Sequence, residues 1–280
     1  MARLTSVHNV EGPWSLAVCR AFWEGFAPAA LRDQPSSSST LRTVFRAEHD
    51  WTVATATVRQ DGPAAHITVE GPGDLDAATV QVVRFLSLDI DARGWPEVGD
   101  RDPVMAEVQR AMPGLRPCGF LSPYEAAAWA VLTQRVRRTQ AARQRAELLE
   151  DGAFPAPQKL RTLDLDLFGR KAEYLHAVAE AALDGRLDGS HLRALDAPSA
   201  IAAVREITGL GPFGAELVVL RGANHPDAVP HHEPRFAAEL TRLYGAAATR
   251  DKVSEAWRPF RTWGAFHLRA QSSTPYASKA

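Results

Sequence analysis

The stretch best suited to chemistry in this sequence is the glycine turn Gly209-Leu210-Gly211, which precedes Pro212 between two predicted helices. Glycine can take a positive φ and lets another backbone approach closely, and proline suits the first turn of a helix. Such a turn leaves backbone N–H groups unpaired at a helix N-terminus, where they can hold a phosphate without a positive side chain. The pattern predicts a phosphate-binding hairpin. An ordinary glycine turn between helices is the alternative, because Gly-x-Gly is common at such junctions.

Charge over the whole chain does not favour a polyanionic partner. The 280 residues carry 32 basic and 33 acidic side chains, a net charge of −1, so any phosphate contacts must come from a local patch. The stretch Gln134-Arg135-Val136-Arg137-Arg138, followed by Arg143 and Arg145, offers one such patch. The alternative is a solvated basic helix end, which the helix dipole favours.

Three segments before residue 113 alternate apolar and polar residues with period two, and they predict one antiparallel sheet: 41–47, 51–59 and 65–70. Asp61-Gly62-Pro63 predicts a hairpin turn between the last two. Helices are predicted beside the sheet over 14–26 and over 74–86, the second with Asp74 as its N-cap. The polar run 34–40 predicts a loop that is too short to separate two domains.

After residue 113 the sequence predicts only helices. Ser122-Pro123-Tyr124-Glu125 starts the first, with serine as N-cap and glutamate completing a capping box, and we expect this helix to reach about residue 136. Further helices are predicted over 139–149, 171–183, 190–195, 199–207, 214–220, 235–243 and 252–269. We therefore expect an α+β protein. An antiparallel-sheet domain with flanking helices would span 1–112, and an all-helical domain would span 113–280.

Two isolated cysteines, Cys19 and Cys118, supply no metal or cluster ligand set and favour a reduced, intracellular setting. No stretch approaches the roughly 20 apolar residues that cross a bilayer. The N-terminal residues also lack the apolar run of a signal peptide. The sequence predicts a cytoplasmic protein with no membrane partner.

The segment 207–216, reading ITGLGPFGAE, is followed by Leu220-Arg221-Gly222 and a proline-rich stretch over 226–230. Together they resemble the helix-hairpin-helix signature of the DNA glycosylase superfamily, particularly the bacterial 3-methyladenine DNA glycosylase II (AlkA-type) group. Weaker matches in the same order extend the resemblance over nearly the whole chain. The resemblance implies a helical domain in two lobes, and it implies a monomer whose partner is double-stranded DNA containing a damaged base.

The family's chemistry would need a carboxylate, and the resemblance assigns that role to Glu233. Members are thought to flip the damaged nucleotide into a pocket, where a carboxylate stabilises positive charge on the sugar and positions a water. The family has an aspartate three residues after a proline, whereas this chain reads Val229-Pro230-His231-His232-Glu233. The glutamate reaches about 1.5 Å further, and a misplacement of about 1 Å can cost on the order of 100-fold in rate. Without the resemblance, an acid at a helix N-terminus is the better interpretation.

The resemblance also assigns a DNA-phosphate hairpin and a pocket for the flipped base. The hairpin residues are Gly209, Leu210, Gly211, Phe213 and Gly214, and the pocket residues are Phe213, Leu217, His232, Pro234 and Arg269. Relatives often line this pocket with aromatic side chains that stack on cationic bases. Here we expect few, because the C-terminal aromatic residues have the spacing of a buried helix: Trp257, Phe260, Trp263 and Phe266. Arg269 would repel a cationic base.

Relatives with lyase activity carry a lysine at the position of Phe213, so Schiff-base chemistry is not expected. We expect a monofunctional hydrolase with no cofactor. No metal is expected either, because the adjacent His231 and His232 project in different directions and lack a third ligand. One of these histidines could orient a water or the carboxylate, and a loop histidine without a special role is the alternative.

In the family, the residue after Gln134 is a wedge that fills the gap left by the flipped base. Here that residue is Arg135, which could also hydrogen-bond the orphaned partner base. We therefore expect Gln134, Arg135 and Arg137 to contact DNA.

Two functions from different classes follow from the sequence. The first is a monofunctional DNA glycosylase that excises a damaged, alkylated purine by hydrolysis of the N-glycosidic bond. The second is a catalytically weakened protein on the same scaffold that binds DNA lesions or unusual DNA structure, which the glutamate at position 233 and the thin aromatic pocket favour. A helical protein without salt-sensitive DNA binding is a third interpretation.

Overall fold

The computed structural model describes residues 1–28 and 39–273. Its strands are β1 (Ala2–Asn9), β2 (Thr40–Arg46), β3 (Val53–Asp61) and β4 (Ala64–Gly71), which form one antiparallel sheet in the order β1-β4-β3-β2. The three predicted strands are confirmed with small shifts at their ends. The sequence does not predict β1, because its inward positions Leu4, Ser6 and His8 are mostly polar and only half-buried.

Two helices pack on this sheet, α1 (Leu16–Glu24) against β2 and α2 (Leu75–Phe85) against β4 and β1. Each begins at a side-chain N-cap: Ser15 Oγ accepts from the N–H of Val18 at 3.3 Å, and Asp74 accepts from that of Ala77 at 2.9 Å. Of the predicted loop over 34–40, residues 34–38 lie outside the described residues, and Thr40 already belongs to β2.

Two short helices that the sequence analysis does not predict connect the sheet to the helical part, α3 (Trp95–Arg101) and α4 (Pro103–Ala111). Helix α5 (Pro123–Leu132) starts at its predicted N-cap, Ser122, and is buried along its whole length. It ends at Leu132, so the predicted extension to residue 136 is wrong. A buried Glu125–Arg145 ion pair at 2.6 Å joins α5 to α6 (Arg138–Glu147).

The remaining elements are α7 (Pro157–Leu160), α8 (Lys171–Leu183), α9 (Gly189–Ala194), α10 (Ala197–Arg205), α11 (Pro212–Leu217), a π-helical turn (Val218–Gly222), α12 (Pro234–Tyr244), α13 (Arg250–Ser254), a 3-10 turn (Glu255–Trp257) and α14 (Arg261–Ser273). The single helix predicted over 252–269 is wrong. It divides before α14 at Pro259, which has no N–H for a helical hydrogen bond.

The apolar core consists of two clusters. One contains sheet residues such as Phe45 and Ile67 together with Trp257 and Trp263 from the C-terminal part of the chain. The other lies within the helices between residues 120 and 228. Residues on both sides of position 112 therefore share the first core. Within 1–28 and 39–273, the structure contains no helix long and apolar enough to cross a membrane.

Candidate active site

The predicted hairpin lies between α10 and α11. Gly209 has φ +92°, and a Cβ there would come within 2.4 Å of Tyr174 Cγ, so this position requires glycine. Gly211 differs, with φ −81° and ψ −177°, so it does not use the positive φ that glycine allows. A Cβ on Gly211 would meet no atom within 4 Å. Gly211 therefore leaves an open approach to the backbone of the turn.

The other hairpin residues divide into packing and exposed positions. Leu210 is buried, and a Cβ on Gly214 would lie 3.4 Å from Ala130 of α5. Phe213 is exposed over 39% of its surface. Leu210 and Gly214 thus hold the hairpin on the protein, while Phe213 and the backbone at Gly211 face outward.

Gln134 connects the predicted wedge segment to this hairpin. Its Nε2 donates to the Gly209 carbonyl at 2.8 Å. The next residue, Arg135, is exposed and has φ +54°, a left-handed conformation that is uncommon for a residue other than glycine. Arg137 is also exposed. The structure therefore brings Gln134 to the hairpin and holds Arg135 on the surface in a strained backbone.

A cavity of about 490 Å³ lies next to the hairpin and takes side chains from both core clusters. It is lined by Glu233 and by all five predicted pocket residues, Phe213, Leu217, His232, Pro234 and Arg269. The expectation of few aromatic residues is wrong, because five more phenylalanine and tryptophan side chains line the cavity: Phe26, Phe120, Trp129, Phe236 and Phe266. They come from five separate segments, so no local spacing could reveal them.

Glu233 caps a helix and also lines the cavity. It is the N-cap of α12, with Oε1 accepting from the N–H of Arg235 at 3.1 Å. Its Oε2 lies 2.7 Å from Arg269 Nη1 on α14. Both side chains are about four-fifths buried, at 22% and 20% exposure. The carboxylate is therefore held at both oxygens at the edge of the cavity.

Glu216 is a second cavity carboxylate, which the sequence analysis does not single out. It is buried on α11, and its two oxygens accept from the backbone N–H groups of His231 at 3.0 Å and His232 at 2.8 Å. His232 Nδ1 lies 2.8 Å from Glu216 as well, whereas His231 Nε2 lies 3.8 Å from Asp251. Glu216 thus fixes the turn that delivers Glu233. A lone acid in the otherwise apolar α11 was the available signal.

Four arginines also line the cavity, of which the sequence analysis assigns only Arg269 to the pocket: Arg138, Arg221, Arg235 and Arg269. Arg221, in the π-helical turn, donates from Nη2 to the Cys118 carbonyl at 2.7 Å. Burial lowers the pKa of Arg221 to about 10, so it remains charged at neutral pH. Burial also lowers the pKa of Arg138, which Arg235 and Arg269 depress further.

Comparison with known proteins identifies relatives over most of the chain, although no family model matches it. It is 23% identical to the DNA-3-methyladenine glycosylase of Bacillus subtilis over 66% of this chain and 69% of that protein. It is 28% identical to a probable bifunctional transcriptional activator/DNA repair enzyme AlkA of Mycobacterium tuberculosis, over 70% of this chain but only 42% of that protein. A solved 3-methyladenine DNA-glycosylase from Archaeoglobus fulgidus superposes with a TM-score of 0.72 at 18% identity, covering 97% of this chain and 98% of that one.

The sheet, the helices around the hairpin and the cavity beside it have the fold of the helix-hairpin-helix DNA glycosylases. In sequence, the chain is similar to DNA-3-methyladenine glycosylases and AlkA-type repair enzymes, and the expected resemblance is confirmed.

Proposed function

We propose that this protein is a monofunctional DNA glycosylase that flips a damaged, alkylated purine out of duplex DNA and hydrolyses its N-glycosidic bond. One observation carries the proposal: Glu233 is anchored at both oxygens on the edge of an aromatic-lined cavity that adjoins the hairpin. The similarity to a DNA-3-methyladenine glycosylase of Bacillus subtilis supports DNA glycosylase activity. Such an enzyme would act as a monomer on DNA in the cytoplasm.

The size of the cavity and the groups on the surface beside it suit a flipped nucleotide. A volume of about 490 Å³ is within the usual range for sites that enclose a small ligand. In our proposal, backbone N–H groups at the start of α11 hold a phosphate of the damaged strand, with Gly211 leaving room for its approach. Arg135 would enter the duplex where the base has left. The hydrogen bond from Gln134 to Gly209 would fix the position of this wedge relative to the hairpin.

The proposed chemistry is hydrolysis assisted by electrostatics. As the bond between C1′ of the sugar and the base nitrogen breaks, its electron pair leaves with the base and positive charge develops on the sugar. The Glu233 carboxylate stabilises that charge and orients a water, whose oxygen bonds to C1′. Glu233 takes up one water proton, which passes to solvent when a cationic base leaves as a neutral molecule and to the base when a neutral base leaves with the electron pair. Phe213 offers no amine, which favours water over a Schiff base as the nucleophile.

Replacing Glu233 by glutamine tests the assignment. The E233Q variant keeps the shape of the side chain but loses its charge, so we expect release of free base from alkylated duplex DNA to fall about 100-fold or more. Single-turnover kinetics on a panel of lesion-containing duplexes would measure this. E239Q is a matched control, since Glu239 lies on the same helix, pairs with Arg242 and does not line the cavity. Undiminished release by E233Q would remove Glu233 from the mechanism.

The second candidate is a lesion-binding protein with little catalysis. The Glu233–Arg269 ion pair favours it, because the guanidinium competes with the sugar for the charge of the carboxylate. This function predicts tight, salt-sensitive binding to damaged duplexes without base release from any lesion of the panel. The same panel therefore separates the two candidates.

A further inference from the structure

The side chains that line the cavity carry a net positive charge, which does not favour a cationic substrate. Four arginines line it against two carboxylates, Glu216 and Glu233. Glu216 is engaged by the backbone of His231 and His232, and Glu233 by Arg269. The lining therefore carries an excess of positive charge, although the whole chain is nearly neutral.

Two of the aromatic side chains that line the cavity, Phe26 and Phe266, already have a cation against them. The guanidinium carbon of Arg221 lies 4.6 Å from the ring centre of Phe266, 5.5 Å from that of Phe26 and 5.9 Å from that of Phe22. These distances are within the range of cation–π attraction. Arg221 thus takes the interaction that a positively charged base would otherwise make with Phe26 and Phe266.

The position of Arg221 is built into the fold. The π-helical turn carries it, and its Nη2 is tied to the Cys118 carbonyl at 2.7 Å. Gly119 makes room for it, because a Cβ there would come within 2.7 Å of that same Nη2. The hydrogen bond to Cys118 and the space at Gly119 together accommodate the guanidinium at the cavity wall.

We propose that this pocket selects an uncharged damaged purine with a ring carbonyl oxygen over a purine with a fixed positive charge. The inference rests on the proposed function and names its substrate class. Methylation of guanine at N1 replaces a proton, so the base stays neutral and keeps its carbonyl, and deamination of adenine creates a neutral base with the same group. Methylation at N7 of guanine or N3 of adenine instead leaves a positive charge, which the arginines repel.

The same arginines give an uncharged base the help that it needs to leave. When its glycosidic bond breaks, the electron pair moves onto the purine nitrogen and is shared with the carbonyl oxygen. Guanidinium N–H groups near that oxygen stabilise the developing negative charge, as donors do in an oxyanion site. Water then bonds to C1′, and its proton reaches the base through Glu233. A cationic purine leaves as a neutral molecule and gains nothing from these donors.

The wild-type protein provides the first test. Four duplexes that differ only in one base would carry 1-methylguanine, hypoxanthine, 7-methylguanine or 3-methyladenine. For each, the single-turnover rate of release is divided by the rate of spontaneous loss. We expect this enhancement to be at least about 10-fold larger for the two neutral bases. An equal or larger enhancement for the cationic bases would overturn the inference, while the proposed glycosylase function would stand. If none of the four bases is released, the proposed function is wrong as well.

Removing the charge of Arg221 is the second test. We expect R221M to lower release of the neutral bases about 10-fold or more and to leave release of the cationic bases unchanged or faster. R242M, on an exposed arginine outside the cavity lining, is the control and should match the wild type. R138M provides the same comparison should R221M fail to fold. An equal loss for both classes of base would count against a role in selection.

Discussion

Gly209 and Gly211 are two residues apart in the hairpin, but they face different surroundings. Gly209 combines φ +92° with the ring of Tyr174 against its Cα, so G209A should lower the free energy of unfolding by about 2 kcal/mol or more.

The added methyl group of G211A meets open space, so the free energy of unfolding of this variant should stay within about 0.5 kcal/mol of the wild-type value. Its added methyl group stands where we propose the phosphate, so duplex affinity should fall about 10-fold. Denaturant unfolding and fluorescence anisotropy measure the two effects, and full affinity in G211A would move the phosphate elsewhere.

Glu216 contacts the backbone just before Glu233, so in the proposed mechanism it is a positioning residue. E216Q replaces one acceptor oxygen with an NH2 group that faces the N–H groups of His231 and His232. We expect base release to slow about 10- to 100-fold, because small displacements of a catalytic group are costly. Affinity for a lesion duplex should not change, since the hairpin turn does not depend on this contact. E206Q, on an exposed acid at the end of α10, is the control. A parallel loss of affinity would contradict a purely positioning role.

Helix α5 ends four residues before the end that its sequence predicts, next to the segment that we propose as the wedge. The helix ends at Leu132, and Arg135 follows in the left-handed region, at a cost of about 1–2 kcal/mol. The Gln134–Gly209 contact holds this strained segment against the hairpin. Strain of this kind at an exposed arginine supports its assignment as the wedge.

The R135G variant separates the backbone strain at this position from the proposed contact of the arginine side chain with DNA. Glycine relieves the left-handed conformation, so the free energy of unfolding should stay equal or rise by about 1 kcal/mol. The variant lacks the proposed wedge, however, so both base release and the fluorescence of 2-aminopurine next to a flipped base should fall about 10-fold. D151G is the matched control, since the exposed Asp151 has φ +50° in a turn away from the cavity. Normal base release by R135G would assign Arg135 to the surface alone.

For the whole molecule, α14 joins the cavity to the core of the sheet, and His267 lies at this junction. Its Nδ1 is 2.8 Å from the Trp263 carbonyl and its Nε2 is 3.2 Å from that of Leu115. Complete burial lowers the pKa of His267 from 6.5 to about 4. The folded protein therefore keeps the ring neutral where the unfolded chain takes up a proton.

The stability contributed by this neutral ring is fully present above pH 6.5 and is lost as the pH falls towards 4. Between pH 6.5 and about 5 the loss should reach about 2 kcal/mol, at about 1.4 kcal/mol per pH unit. Burial also lowers the pKa of His225, which adds a loss of the same sign. Denaturant unfolding across this pH range measures the slope. H267Q should flatten it, and an equally steep slope in that variant would place the effect on other groups.

Elements with a local signal were predictable from the sequence. The alternation in β2, β3 and β4 and the caps Asp74 and Ser122 are properties of neighbouring residues, and the structure confirms them. The polar edge strand β1 and the division before α14 were not predicted. The first lacks apolar alternation, and in the second a single proline interrupts an otherwise helical pattern.

The hairpin, the resemblance to the glycosylases and the acid at position 233 could be predicted, because each depends on residues close together in the chain. The surroundings of that acid could not, because they depend on how distant segments pack. Arg221 and Arg269 come from different helices, and the aromatic lining comes from five separate segments. The Glu216 carboxylate reaches the turn before Glu233 only because α11 packs beside it. Packing brings these groups together, and no spacing along a chain encodes a distance across a cavity.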